Sequence, residues 1–89
     1  MSADPTTDFE ALRATGREAA EEQIRQEAPT EALARVAWMV GFGEVDGTLA
    51  AVTEARSRGA TWREIASAAG LPMRTAISRF ERARLRSEG

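Results

Sequence analysis

Apolar side chains along this chain recur at intervals of three and four residues, which is the spacing of one face of an α-helix. The alternating pattern of a half-buried strand is almost absent. Ala, Glu, Arg and Leu, which favour helix, are abundant. The pattern predicts an all-α protein of four to five helices, which cover approximately residues 8–28, 29–40, 45–58, 62–69 and 72–86.

The first two predicted helices each carry one apolar stripe. Thr7 or Asp8 is expected to cap the first helix, and Gly16 breaks the spacing of its apolar residues in the middle. Pro29 suits the start of the second helix, where a missing N–H is harmless. The stripe of the first helix is Phe9, Leu12, Ala19, Ala20 and Ile24. The stripe of the second is Leu33, Val36, Ala37 and Val40, with Trp38 and Met39 to the sides.

A glycine-rich segment separates these helices from the third. Gly41-Phe42-Gly43 is expected to break or bend the chain. The buried face predicted for the third helix is Leu49, Val52 and Ala55.

The segment before the last predicted helix carries the most specific local signal. Thr61 and Glu64 have the spacing of a capping box, in which each side chain satisfies a free amide of the first helical turn. Ala66 falls where two helices must approach closely. Gly70 supplies the positive φ of a tight turn, and Pro72 is expected to begin the next helix.

The last predicted helix has two faces of different character. Its inward stripe is Met73, Ala76, Phe80 and Ala83. The opposite face carries Arg74, Thr75, Ser78 and Arg82, with Arg79 and Arg86 at one border and Ile77 at the other. Glu81 is the single acid within reach, whereas a merely solvated helix of this composition usually mixes both signs. Such a face suits docking in the major groove of double-stranded DNA.

These residues are the candidate DNA contacts. Arg74, Thr75 and Ser78 are the best candidates for base edges. Ile77 could touch a thymine methyl, and Met73 lies at the same end of the helix. The candidate phosphate contacts are Arg63, Arg79, Arg82 and Arg86. Alternatively, Arg82, Arg84 and Arg86 are solvated charges, which the end of a helix favours.

Charge is distributed unevenly along the chain. Residues 1–55 hold four Arg against eleven acids, whereas residues 56–86 hold eight Arg against two acids. Such asymmetry points to a polyanion partner for the basic part. All twelve basic residues are Arg, which pairs with phosphate and guanine in bidentate fashion, although codon usage in a GC-rich genome is the simpler explanation of this preference.

The order of small, apolar and basic residues resembles a helix-turn-helix. The residues that carry the likeness are Ile65-Ala66, Gly70-Leu71, Thr75-Ala76, Ser78-Arg79-Phe80 and Arg82-Ala83-Arg84. The pattern is most similar to sigma-factor region 4 and to small helix-turn-helix proteins common in GC-rich bacteria. It covers about residues 49–86 and implies sequence-specific DNA binding by a transcriptional regulator. Many such proteins have Ser or Thr where this chain has Pro72, so the phosphate contact of that residue is not carried over.

The composition leaves little for catalysis. The chain has no Cys, His or Tyr, which removes the commonest general bases, thiol nucleophiles and most zinc ligand sets. Glu18, Glu21 and Glu22 are typical of a solvated face rather than a metal site. We therefore expect a non-enzyme without catalytic residues, metal or cofactor.

The sequence also bears on location. No apolar run approaches the roughly 18 residues of a membrane span. The first residues lack the basic and apolar regions of a signal peptide. We expect a cytoplasmic protein with no membrane contact.

Three segments are predicted: a disordered arm at 1–7, N-terminal helices at 8–44 and a helix-turn-helix domain at 45–89. The N-terminal helices are expected to pack on the DNA-binding unit, to bind a second copy in a homodimer, or both. Alternatively, the protein is an interaction module that binds a sigma factor, toxin or regulator through its acidic half, or a plasmid or phage protein of partition or copy control.

Overall fold

The computed structural model of the chain describes residues 7–22 and 28–88, with side chains described for 7–21 and 28–83. Those residues form helices α1 (Phe9–Glu22), α2 (Ala32–Phe42), α3 (Val45–Ser57), α4 (Trp62–Ala69) and α5 (Met73–Glu88). They contain no strand, which confirms the all-α prediction. Of the predicted arm, residues 1–6 lie outside the described part of the chain.

Helix α2 lies at the centre of the fold and contacts α1, α3 and α4. Leu33, Val36 and Ala37 on this helix have no exposed surface. One hydrophobic cluster extends from Ala19 in α1 to Phe80 in α5. The N-terminal helices therefore pack on the predicted helix-turn-helix and share its core.

The core is built mainly from small side chains. Ten of the seventeen buried apolar residues in the described part are Ala, so each contributes little apolar area. Helices lined by Ala can approach closely, and tight packing has to supply much of the cohesion. Leu33, Val36 and Ile65 are the largest fully buried side chains.

Helices α1 and α2 are the most extensively packed pair, and their backbones touch at two glycines. A Cβ atom at Gly16 would overlap the carbonyl oxygen of Trp38 and lie 2.9 Å from the Phe42 nitrogen. A Cβ at Gly41 would overlap the backbone of Arg13. Both residues lie inside continuous helices, so Gly16 breaks the apolar spacing of α1 without ending the helix, and the break predicted at residues 41–43 lies at Gly43.

The ends of the first two helices also differ from the prediction. Asp8 caps α1, since its Oδ1 accepts a hydrogen bond from the Ala11 amide at 3.1 Å. The described part of α1 ends at Glu22 and Ala28 is not helical, while Ile24 lies outside the described residues. Helix α2 begins three residues later than Pro29 would place it, because Glu31 acts as the N-cap and accepts from the Ala34 amide at 2.8 Å.

The buried face of α2 is wider than one stripe. Trp38 and Met39, predicted to lie at the sides, are both buried, whereas Val40 is only partly buried. The reason is that α1 covers the Trp38 side and α3 covers the Met39 side, where Gly47 lies against the Met39 side chain. In α3, Val52 and Ala55 are buried as predicted, whereas Leu49 is only partly buried.

The backbone contact predicts that Gly16→Ala destabilises the protein by about 1–3 kcal/mol, because the new methyl group must push α1 away from α2. The matched control is Gly47→Ala, whose Cβ would meet only the movable end of Met39. This control should be neutral or gain up to about 1 kcal/mol from helix propensity. Urea denaturation of the three proteins measures the difference. Equal midpoints for Gly16→Ala and wild type would contradict the close crossing.

Candidate nucleic-acid interface

The start of α4 is fixed by the capping box that the sequence predicts. The Glu64 amide donates to Thr61 Oγ1 at 3.1 Å, and the Thr61 amide donates to Glu64 Oε1 at 2.9 Å. Two amides of the helix end are thereby satisfied by side chains. The Glu64 carboxylate, which is the acidic group in the first turn of α4, is therefore part of the capping box.

A three-residue turn connects α4 to α5. Gly70 has φ +71°, and its amide donates to the Ser67 carbonyl at 3.2 Å. The Leu71 amide donates to the Ala66 carbonyl at 3.0 Å, which completes a Schellman motif. Pro72 accepts the first hydrogen bond of α5, from Ala76 at 2.9 Å, so the helix begins at Met73, one residue later than predicted.

The inner surfaces of α4 and α5 are apolar and buried. Ile65 and Ala66 on α4 and Ala76 and Phe80 on α5 all belong to the core, and Ala83 is partly buried. Met73 was predicted to lie inward, but it is 46% exposed. The apolar side chain that packs against the core at this end of the pair is Leu71, in the turn before Met73.

The outer face of α5 contains the predicted contact residues. Its exposed side chains are Arg74, Thr75, Ser78, Arg79 and Arg82, and Ile77 is partly exposed. Positions 74, 75, 78 and 82 share one side of the helix by its periodicity. Arg63 is exposed on the first turn of α4. Arg86 lies on α5, and its side chain is outside the described part.

The arginines at the end of α3 have partners within the chain, whereas the candidate contact arginines of α4 and α5 do not pair with a described acid. Arg56 donates to the Ala60 carbonyl at 2.9 Å and lies 5.0 Å from the ring centre of Trp62, which is half-buried. Arg58 pairs with Glu54 at 3.2 Å. Among the described side chains, no acid pairs with Arg63, Arg74, Arg79 or Arg82. These four charges are therefore exposed and uncompensated by a salt bridge, as binding of a polyanion requires.

One contact of this unit comes from the acidic half of the chain. Arg13 on α1 donates through Nη1 to the Ala68 carbonyl at 2.8 Å and approaches the Ser67 carbonyl at 3.4 Å. Sequence reasoning missed it, because the partners lie 55 and 54 residues away and no local pattern signals such a contact.

A groove of about 200 Å³ lies between the end of α2, the start of α3 and α5. Val45, which is 73% exposed, lines it together with Leu49 and Leu71. Glu44 and Arg79 contribute charged groups to the lining. The sequence pattern did not indicate this groove.

The residues that the structure describes hold neither a metal-binding cluster nor a membrane span. No cluster of three or more acidic side chains there could hold a metal ion. No helix in that part combines the length and apolarity needed to cross a bilayer. Comparison with known protein families, with curated proteins and with solved structures finds no match to this chain.

Proposed function

We propose that this protein binds double-stranded DNA through α4 and α5 and acts as a transcriptional regulator in the cytoplasm. The observation that carries the proposal is the outer face of α5, where Arg74, Thr75, Ser78 and Arg82 are exposed together and no described acidic side chain pairs with them. That helix follows a capped helix and a tight turn, which is the arrangement of a helix-turn-helix resembling sigma-factor region 4.

The proposed contacts divide into two kinds. In a helix-turn-helix the start of the second helix reads base edges, so Arg74, Thr75 and Ser78 are assigned to direct readout. Met73 and Ile77 lie at the same end and are assigned to apolar contact with thymine methyl groups. The phosphate contacts assigned are Arg63, Arg79, Arg82 and Arg86.

The four described arginines predict strongly salt-dependent binding. If about four phosphates are neutralised, the plot of log affinity against log salt should have a slope near −3 to −4. The measurement is fluorescence anisotropy of a labelled genomic duplex at several salt concentrations. The double variant Arg79→Ala/Arg82→Ala should lower the magnitude of the slope by about 2. No binding of any genomic DNA at low salt would contradict the proposal and favour the protein-interaction alternative.

The two ends of α5 should respond differently to mutation. Arg74→Ala should lose about 1–3 kcal/mol of binding and relax the preference at one base pair, because it removes a base-edge contact. Arg82→Ala lies two turns further on and should weaken all sequences about equally. Selection from a random duplex library measures both effects, with the exposed Arg17→Ala in α1 as control. Identical sequence preferences in the two variants and wild type would refute this division of roles.

The homodimer expected from the sequence requires an apolar surface outside the core of one chain. In the apolar stripe of α2, Leu33, Val36 and Trp38 are at most 5% exposed, whereas Val40 is only partly buried. The groove beside Val45 is an exposed apolar surface to which Val40 and Leu49 also contribute, and a second copy would pack there. We include this dimer in the proposal, with recognition helices about 34 Å apart on an inverted repeat.

Light scattering at micromolar concentration tests the dimer. Wild type should have twice the 9.6 kDa chain mass, and Val45→Glu should restore the single-chain mass, because it places a charge in the groove. Ala50→Glu adds the same charge to another exposed face of α3 and should stay dimeric. A wild-type mass near 9.6 kDa, unchanged on DNA, would refute the dimer.

The protein-interaction alternative is supported by one feature of α1. Its acids Glu10, Glu18 and Glu21 are all exposed. They offer a negative surface to a basic partner, and DNA binding and partner binding would then use opposite charges of the same chain.

A further inference from the structure

The end of α4 has carbonyl groups that no helical hydrogen bond can satisfy, as every helix end does. The turn itself uses two of them, since Gly70 donates to Ser67 and Leu71 donates to Ala66. The Ala68 carbonyl instead accepts the hydrogen bond from Arg13 at 2.8 Å. A positive charge at this place also interacts favourably with the negative end of the α4 dipole.

The guanidinium also stands against the turn. A Cβ at Gly70 would lie 2.8 Å from Arg13 Cζ and 3.1 Å from its Nε. The group therefore lies directly over the one turn residue with a left-handed backbone. Loss of the guanidinium would leave open space beside Gly70 and an unpaired carbonyl at Ala68.

Arg13 is held on its own side as well. Its backbone touches Gly41, and the crossing of α1 and α2 fixes where its side chain starts. Arg13 thus links the buried α2, which its backbone contacts, to the turn between α4 and α5, which its side chain contacts. This turn sets the direction of α5. Arg74 and Thr75 follow Gly70 by only four and five residues, so a change in the turn moves them directly.

We propose that Arg13 is a positioning residue for DNA readout: it holds the turn at Gly70 so that the start of α5 presents Arg74, Thr75 and Ser78 in register with the bases. This inference rests on the proposed DNA binding. Base-edge hydrogen bonds need close geometry, whereas phosphate attraction tolerates displacement. Loss of Arg13 should therefore reduce discrimination between sequences much more than it reduces general affinity.

The test compares Arg13→Gln and Arg13→Lys with Arg17→Gln. Arg17 is exposed one turn further along α1, so its variant removes the same charge without touching the turn. The first readout is the ratio of dissociation constants for a duplex selected by the wild type and for its scrambled version, at one salt concentration and well below the unfolding temperature. The second is hydrogen exchange of the Leu71 amide, which bonds across the turn.

Arg13→Gln should lower the discrimination ratio about tenfold and speed exchange at Leu71. Arg13→Lys should lie between Arg13→Gln and wild type, since one ammonium can still donate to Ala68. Both glutamine variants should lose a similar, roughly twofold, affinity for the scrambled duplex. An unchanged ratio in Arg13→Gln would overturn the inference, even if exchange is faster, because the contact would then serve stability alone.

The two proposals fail in different ways. If the wild type binds neither duplex, the proposed DNA binding fails and this inference falls with it. If the wild type discriminates and Arg13→Gln discriminates equally well, DNA binding stands and only the role of Arg13 is lost.

Discussion

The direct contact between the backbones of α1 and α2 is the constraint on which the rest of the fold depends. Glycine at positions 16 and 41 lets the two helices touch, and the alanine-rich core has few large side chains to hold them together otherwise. Dispersion contacts weaken steeply when a gap opens, so a core of this composition needs helices that lie close together. The same crossing fixes Arg13 beside the turn of the helix-turn-helix.

This constraint joins the two halves that charge separates. Helix α2 comes from the acidic half, yet it packs on α4, and α1 supplies the hydrogen bond that closes α4. Helices α3 to α5 alone would lose both contacts, and a unit of that size buries too little surface to offset the loss. The acidic and basic parts thus differ in surface charge but share one packed core. Arg13 belongs to the acidic part of the sequence, and its guanidinium contacts α4 in the basic part.

Local signals in the sequence predicted local structure well. The capping box at Thr61 and Glu64, the limits of α4 and the positive φ of Gly70 depend on neighbours within a few residues, and all are confirmed. Gly16 and Gly41 show the opposite case. A glycine that permits a close helix contact has the same local pattern as one that ends a helix, and only the partner helix distinguishes them.

Candidate site residues also divide into those that local periodicity predicts and those that depend on contacts between distant parts of the chain. The outer face of α5 could be predicted because one helical period relates its members. The exposure of Met73 could not be predicted, since helical periodicity does not show that Leu71 in the turn, and not Met73, packs against the core at this end. Arg13 and the groove beside Val45 bring together residues from distant helices, and a single sequence carries no signal for either.

The start of α5 combines two unfavourable features that no other helix of the described chain combines. Asp8, Glu31 and Thr61 cap α1, α2 and α4 with side-chain oxygens, and α3, which has no side-chain cap hydrogen bond, has Asp46 in its first turn. Helix α5 has no acid in its first turn, Arg74 stands there instead, and Pro72 before it offers no side-chain acceptor. A missing cap costs about 0.5–2 kcal/mol, and a cation at the positive end of the helix dipole is also unfavourable.

Sequences that are otherwise locally consistent break such rules at functional positions, where another requirement decides the residue. A helix whose first turn must present Arg74 to base edges has that requirement, and this supports the proposed role of α5 without resemblance to any other protein.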